Sequence, residues 1–149
     1  MAPSQRALDF VASYRNAFAR KDPEAIVAHF SEPMLVYSEG NKVIFQNRQM
    51  ALVAVKELLS VYEKLGMTDA ETTAIRTVLR EDCIEEILLD WTLYGNDKEK
   101  LVSFKTSYTL IRDQDRTVCL FAVSHNEMTE IRKYFSGNGR ERSDISVTK

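Results

Sequence analysis

The stretch YRNAFARKDPEAIVAHF, residues 14–30, decides the fold of this 149-residue chain. It contains a break between two helical segments. Asp22 is a residue type that caps the free backbone N–H groups at a helix start, and Pro23 suits the first helical position. The sequence therefore predicts one helix over residues 4–20 and a second, shorter helix over residues 23–30.

The first of these helices carries an aromatic face. Phe10, Tyr14 and Phe18 recur every four residues, and residues at this spacing project from the same side of a helix. We expect this face to pack against the inside of the domain.

Downstream of residue 30 the sequence predicts two short strands, a third helix and then four long strands. The third helix is expected between an N-terminal cap at Asn47 and a terminating glycine at Gly66. Strands are predicted over residues 34–38, 42–46, 72–80, 84–94, 101–112 and 117–125. Short turns join the last four, which indicates antiparallel pairing because a parallel crossover needs a long connection. Helices followed by long antiparallel strands are typical of the α+β class.

Composition narrows the class of protein. The net charge is −2, with 44% hydrophobic and 28% charged residues, which is typical of a globular domain and lacks the basic surface that nucleic-acid binding requires. No apolar run has the length of a signal peptide or a membrane span, so we expect a cytoplasmic protein without nucleic-acid or membrane partners.

We predict one domain over residues 1–135 and a flexible tail over residues 136–149, where glycine, serine and charged residues dominate.

The sequence gives no indication of a metal or cofactor. His29 and His125 are far apart, and neither has a companion at metal-ligand spacing. Without a secretory signal, Cys83 and Cys119 are expected to be reduced packing residues rather than a disulfide.

The order of helix, break, helix and strand in residues 14–46 resembles the opening of the nuclear transport factor 2-like superfamily, which includes ketosteroid isomerases and SnoaL-like cyclases. This resemblance covers about residues 5–130 and implies a cone-shaped α+β roll. In such a fold three N-terminal helices pack inside a strongly curved sheet, mixed or antiparallel, and the open end of the cone holds an apolar pocket.

The resemblance does not extend to the catalytic residues of ketosteroid isomerases. Tyr14 matches their helix-1 tyrosine, which donates a hydrogen bond to a developing enolate. Ser38 stands at the position that matches their carboxylate base, and Thr106 at that of a second, protonated carboxyl group. A serine and a threonine cannot do the work of two carboxyl groups with shifted pKa values, so we expect no steroid isomerisation and assign no catalytic residue.

Strand alternation predicts which side chains face the pocket. One face of the fourth predicted strand presents Trp91 together with Ile87, Leu89 and Leu93, and one face of the next presents Thr106 and Tyr108 among apolar residues. The residues that we expect to line the pocket are Tyr14, Phe18, Tyr37, Trp91, Thr106, Tyr108 and His125. For each of them ordinary packing or solvation is the alternative. His125 has the pKa of a general base, but it is equally a solvated residue at a strand end.

Two functions of different classes follow from these patterns. The first is a SnoaL-like pocket protein that binds a small apolar or carbonyl-containing molecule, with a weak isomerase, cyclase or dehydratase activity left open. The second is a non-catalytic, dimeric interaction module whose cavity is filled by its own aromatic residues. In either case we expect a homodimer through the outer sheet face, where Leu88, Thr92, Tyr94 and Val118 or Cys119 supply apolar surface.

Overall fold

A computed structural model describes residues 1–137. Four helices and six strands make up this part of the chain. The helices are α1 (Gln5–Ala19), α2 (Pro23–Val27), α3 (Arg48–Leu65) and α4 (Glu127–Gly137), and a short 3₁₀ turn spans Asn96–Lys98. The strands are β1 (Phe30–Ser38), β2 (Asn41–Phe45), β3 (Asp69–Arg80), β4 (Ile84–Tyr94), β5 (Lys100–Asp113) and β6 (Arg116–Ser124).

The strands form a single mixed sheet in the order β2-β1-β6-β5-β4-β3. The pairs from β3 to β6 are antiparallel, as the short turns predict, and β1 lies parallel to β6. The sheet is curved, and its inner residues form one apolar core with α1, α2 and α3. The predicted cone-shaped α+β roll is thus confirmed.

The helix boundaries follow the predicted caps. The Asp22 side chain accepts a hydrogen bond from the backbone N–H of Ala25 at the start of α2. The Asn47 side chain accepts one from the N–H of Met50 at 3.0 Å. Gly66 ends α3 with a φ of +92°, a left-handed conformation that side chains disfavour.

The inner and outer faces of β4 and β5 are those that alternation predicts. Trp91 and Leu89 of β4 are buried, as are Thr106 and Tyr108 of β5. The outer face carries polar pairs, including an ion pair between Lys105 Nζ and Asp90 Oδ1 at 2.8 Å.

The prediction that Cys119 lies on the outer sheet face is wrong, whereas its prediction as a packing residue agrees with its burial. A bulge in the β5–β6 pairing places Cys119 opposite Leu110, so its side chain joins the core instead of the outer face. Val118 is also buried. Both cysteines are free thiols, but Cys83 is exposed and is therefore not a packing residue.

The helix α4 was not predicted. It buries Ile131, Tyr134 and Phe135 against the core, and its first turn is held by Glu39, whose carboxylate accepts hydrogen bonds from the N–H groups of Met128 and Thr129 at 3.1 and 3.2 Å. The helix α4 runs to Gly137, two residues beyond the predicted domain end at residue 135. The rest of the predicted tail lies outside the described residues. No helix within residues 1–137 is long and apolar enough to cross a membrane.

Candidate functional site

A cavity of about 140 Å³ lies inside the cone, between the helices and the concave face of the sheet. Its walls come from α1, α3, α4 and five of the strands, and most of the side chains are apolar or aromatic. The aromatic residues that line it are Tyr14, Phe18, Phe30, Phe45, Tyr62, Trp91, Phe104 and Tyr108. The non-aromatic polar residues are Thr106, Ser124 and Glu127.

Five of the predicted pocket residues line this cavity: Tyr14, Phe18, Trp91, Thr106 and Tyr108. The Trp91 ring contacts two aromatic rings of α1: its centroid lies 6.2 Å from that of Tyr14 and 5.6 Å from that of Phe18. The Trp91 Nε1–H donates a hydrogen bond to the Tyr108 hydroxyl at 2.9 Å. The expectation that Tyr14 and Trp91 border the same cavity is confirmed, while a role in ligand binding stays a prediction.

The other two predicted residues lie outside the cavity, which corrects the prediction. Tyr37 is 39% exposed because its neighbour Val36 lines the cavity, and alternation turns Tyr37 to the opposite face. His125 follows the end of β6, where the chain turns outward, and it is exposed. Its Nε2 forms a hydrogen bond with Ser107 Oγ on the outer face at 2.7 Å.

The most distinctive polar group of the cavity is the carboxyl group of Glu127, which the sequence analysis did not single out. It is 8% exposed. The Tyr62 hydroxyl donates a hydrogen bond to Glu127 Oε2, and the Ser124 hydroxyl donates one to Oε1 at 3.2 Å. Burial raises the pKa of Glu127 above its ordinary value, and the negative charge of Glu39 adds to this, although the bonds from Tyr62 and Ser124 oppose it.

A signal for Glu127 exists in the sequence. Glu127, Ile131, Tyr134 and Phe135 are spaced as one face of a helix, so an amphipathic pattern would have placed the carboxyl group on the buried side. Tyr62 is a buried residue of α3. Its contact with Glu127 joins α3 to α4, and no local pattern predicts such a contact.

The tyrosine hydroxyls of the cavity stay neutral. Burial raises the pKa values of Tyr14, Tyr62 and Tyr108 well above the ordinary value. The nearby Glu127 raises the pKa of each tyrosine further. The three tyrosines therefore interact with Glu127, and their hydroxyls are available as hydrogen-bonding groups without charge.

Thr106 presents an underused hydrogen-bonding group. Among the described residues its buried Oγ1 forms no hydrogen bond of good geometry, although it lies close enough to the Tyr108 hydroxyl to oppose the rise in the pKa of that tyrosine. Leaving a buried hydroxyl unpaired costs about 1–3 kcal/mol. Buried polar atoms without partners are rare in proteins, so each calls for an explanation such as a bound molecule.

The charges around the cavity limit its ligands. No lysine, arginine or histidine is among the described residues that line it, and Glu127 is the single acidic one. An anion would meet no positive charge there and would face a carboxyl group. The arrangement suits a neutral or cationic molecule with an apolar body.

Comparison with solved structures shows the same fold in other proteins. An NTF2-like protein of unknown function from Shewanella oneidensis is 17% identical, with a TM-score of 0.66 over 80% of this chain and 96% of that one. A protein with a cystatin-like fold from Nostoc punctiforme is 8% identical, with a TM-score of 0.67 over 84% and 94% of the two chains. A ketosteroid isomerase-like protein from Erwinia carotovora is 13% identical, with a TM-score of 0.60 over 80% and 92%. At these identities the likeness shows the fold alone.

Sequence comparison gives the family. No curated protein matches the chain. The family described as "NTF2-like protein (DUF6841)" matches residues 5–127, which include both helical segments of the opening stretch, the whole sheet and Glu127. The chain belongs to this NTF2-like family.

Proposed function

We propose that the cavity binds one small, mainly apolar molecule that carries a carbonyl or another hydrogen-bonding group. The observation that carries this proposal is the Thr106 hydroxyl, which is buried without a well-formed hydrogen bond on the wall of a partly open, mainly aromatic cavity. A ligand oxygen near it would accept the Thr106 proton and remove the cost of the unpaired group. The Tyr14 hydroxyl, on the opposite wall, is a second neutral donor.

The size of the cavity limits the ligand to about one ring. Its volume of about 140 Å³ is close to that of an apolar protein cavity of about 150 Å³ that binds benzene. It is smaller than the roughly 300–1,000 Å³ of pockets for drug-sized molecules. We therefore expect a ligand of about seven to ten non-hydrogen atoms, unless the side chains rearrange.

For an activity of isomerase, cyclase or dehydratase type, a proton acceptor must reach the ligand. Ser38, at the position of the ketosteroid isomerase base, does not line the cavity, whereas Glu127 does. Any such activity would depend on Glu127. Because neither Ser38 nor Thr106 is a carboxyl group, the lack of steroid isomerisation stays a prediction.

Cyclohexanone, a single-ring ketone, provides the test. Its binding should shift the NMR signals of cavity residues, including the Trp91 indole N–H, with a dissociation constant in the millimolar range or below. In Ala54→Leu, a larger side chain on the cavity wall should weaken binding at least about tenfold. Val53→Leu is the control, since Val53 is 57% exposed. Shifts confined to the surface, or unchanged by Ala54→Leu, would disprove the proposal.

A second proposal concerns the outer sheet face, which we infer to be a homodimer interface. Leu88 and Tyr94 of β4 and Ile111 of β5 are only partly buried there, and a second copy would cover them. A solved structure with a TM-score of 0.62 is named a putative kinase association domain, from Xanthomonas campestris, which is consistent with an interaction module of this fold. Light scattering at micromolar concentration should give twice the chain mass of 17.1 kDa; a monomer would contradict this.

A further inference from the structure

The carboxyl group of Glu127 has hydrogen-bond donors but no positive charge beside it. The groups that interact with it are Tyr62 of α3, Ser124 of β6 and Glu39 of the β1–β2 turn, and it acts in turn on Tyr14 and Tyr108. None of these is basic. Within residues 1–137, Glu127 takes part in no ion pair, unlike the exposed Glu63 and Glu24. Buried carboxylates in proteins are normally paired.

We infer that the ligand of this cavity carries a protonated amine, which pairs with the Glu127 carboxylate. This inference rests on the proposed function, since it names the class of molecule that the cavity binds. An ammonium group placed beside Glu127 would supply the missing positive charge. Charge-assisted hydrogen bonds of this kind are about twice as strong as those between neutral groups.

The cavity walls suit a cation as well. Phe18 stands between Tyr62 and Trp91, with ring centroids 6.1 and 5.6 Å away, and the Tyr14 ring is 5.0 Å from Phe18. Aromatic faces attract ammonium groups, and enclosed aromatic surroundings strengthen this attraction because water is excluded.

The remaining hydrogen bonds of an amine can also be satisfied. An ammonium group has three N–H donors and needs acceptors. Glu127 provides carboxylate oxygens, and the unpaired Thr106 Oγ1 provides a hydroxyl oxygen. Thr106 Cα lies opposite Ser124 in the β5–β6 register, and Ser124 contacts Glu127, so both acceptors belong to the same part of the wall.

Binding of an amine should be linked to proton release. In the empty cavity, burial favours the protonated form of Glu127. Pairing with an ammonium group requires the carboxylate, so the Glu127 proton leaves for the solvent while the amine keeps its own. No other reactant is needed.

The test compares cyclohexylamine with cyclohexanone, two single-ring probes of seven non-hydrogen atoms each. With the wild-type protein, calorimetry at pH 7.5 should show cyclohexylamine binding at least about tenfold more tightly, the difference expected for one charge-assisted contact. In E127Q this preference should disappear. E130Q removes the same charge from a half-buried position of α4 outside the cavity and should keep the wild-type affinities for both probes.

The heat of binding gives a second readout. Cyclohexylamine titrations between pH 5 and 8, in phosphate and in Tris buffer, should reveal net proton release that is absent in E127Q. A missing amine preference, a preference that survives in E127Q, or a lack of proton release at every pH would each overturn the inference while leaving cyclohexanone binding intact. If neither probe binds, the proposed function itself fails.

Discussion

Two glutamates at different ends of the sheet are equally buried, yet their environments have opposite effects. Glu85 at the start of β4 and Glu127 at the start of α4 are each 8% exposed. The surroundings hold the pKa of Glu85 below its ordinary value and that of Glu127 above it. Burial raises both pKa values, but protein surrounds the Glu85 carboxyl group far less completely than that of Glu127. The smaller desolvation of Glu85 and its hydrogen-bond donors together decide the difference.

Glu85 is surrounded by donors. It accepts hydrogen bonds from the Ser4 N–H at 3.0 Å, from the Ser4 hydroxyl and from the Thr77 hydroxyl at 2.7 Å. Arg80 Nη1 lies 3.7 Å from its Oε2. These contacts join the N-terminus of α1 to β3 and β4, so the carboxylate serves the fold.

Glu127 has two neutral hydroxyl donors, no cation among the described residues and an acidic neighbour in Glu39. It also faces a cavity instead of packed protein. A buried carboxyl group that is kept poorly compensated is typical of functional sites. The comparison supports a structural role for Glu85 and is consistent with the ligand-binding role that we propose for Glu127.

Removing the two side chains should separate these roles most strongly. Glu85→Ala leaves the Ser4 and Thr77 donors unpaired and should lower the free energy of unfolding by about 2–4 kcal/mol. Glu127→Ala leaves the Tyr62 and Ser124 hydroxyls without a partner but also removes a poorly compensated buried carboxyl group, so it should cost less than Glu85→Ala. Urea denaturation at pH 7 measures both, with Glu86→Ala on the outer face as control. Equal losses for Glu85→Ala and Glu127→Ala would remove the distinction.

The pH dependence of stability should have opposite signs at the two sites. The contribution of Glu85 is present above the unfolded-state pKa of about 4.3 and is lost as pH falls through its lowered folded-state pKa. For Glu127, stability is greatest below about pH 4.3 and declines as pH rises through its raised folded-state pKa.

Glutamine variants make this difference measurable. From pH 4 to pH 8, E127Q should gain stability relative to wild type, because it cannot acquire the buried charge. E85Q should become less stable relative to wild type as the pH rises from about 3 to 6, because it cannot form the stabilised carboxylate. Thermal denaturation across this pH range is the measurement, and parallel curves for wild type and E127Q would show that Glu127 titrates normally.

The sequence could predict the cavity residues of α1, β4 and β5, but not the contact between α3 and α4. Strict alternation in β4 and β5 placed Trp91, Thr106 and Tyr108 correctly, since side chains on a strand have only two directions. The contact between Tyr62 and Glu127 depends on how α3 and α4 meet in space, and helix packing is not encoded by local spacing. His125 was misplaced because the register of β6 was not predicted: Ser124 lines the cavity, and alternation therefore turns His125 to the outer face beside Ser107.

A pair of threonines gives the smallest and most specific comparison. Thr77→Val removes a donor to Glu85 and should destabilise the protein by about 1–2 kcal/mol. Thr106→Val removes a buried hydroxyl that has no partner among residues 1–137, so it should be neutral or stabilising by up to about 1 kcal/mol. Urea denaturation of both variants at pH 7 checks the signs. A loss for Thr106→Val similar to that for Thr77→Val would indicate that the Thr106 hydroxyl already has a partner in the empty cavity.

The most direct test of the central claim is a carbon-13 NMR titration of the glutamate carboxyl groups in the ligand-free protein, with E127Q and E85Q used for assignment. This account predicts that the Glu127 carboxyl group titrates above the ordinary glutamate pKa of about 4.3 and that the Glu85 group titrates below it. A Glu127 signal that titrates at or below the ordinary value would contradict the account, because the carboxyl group would then be as well compensated as that of Glu85.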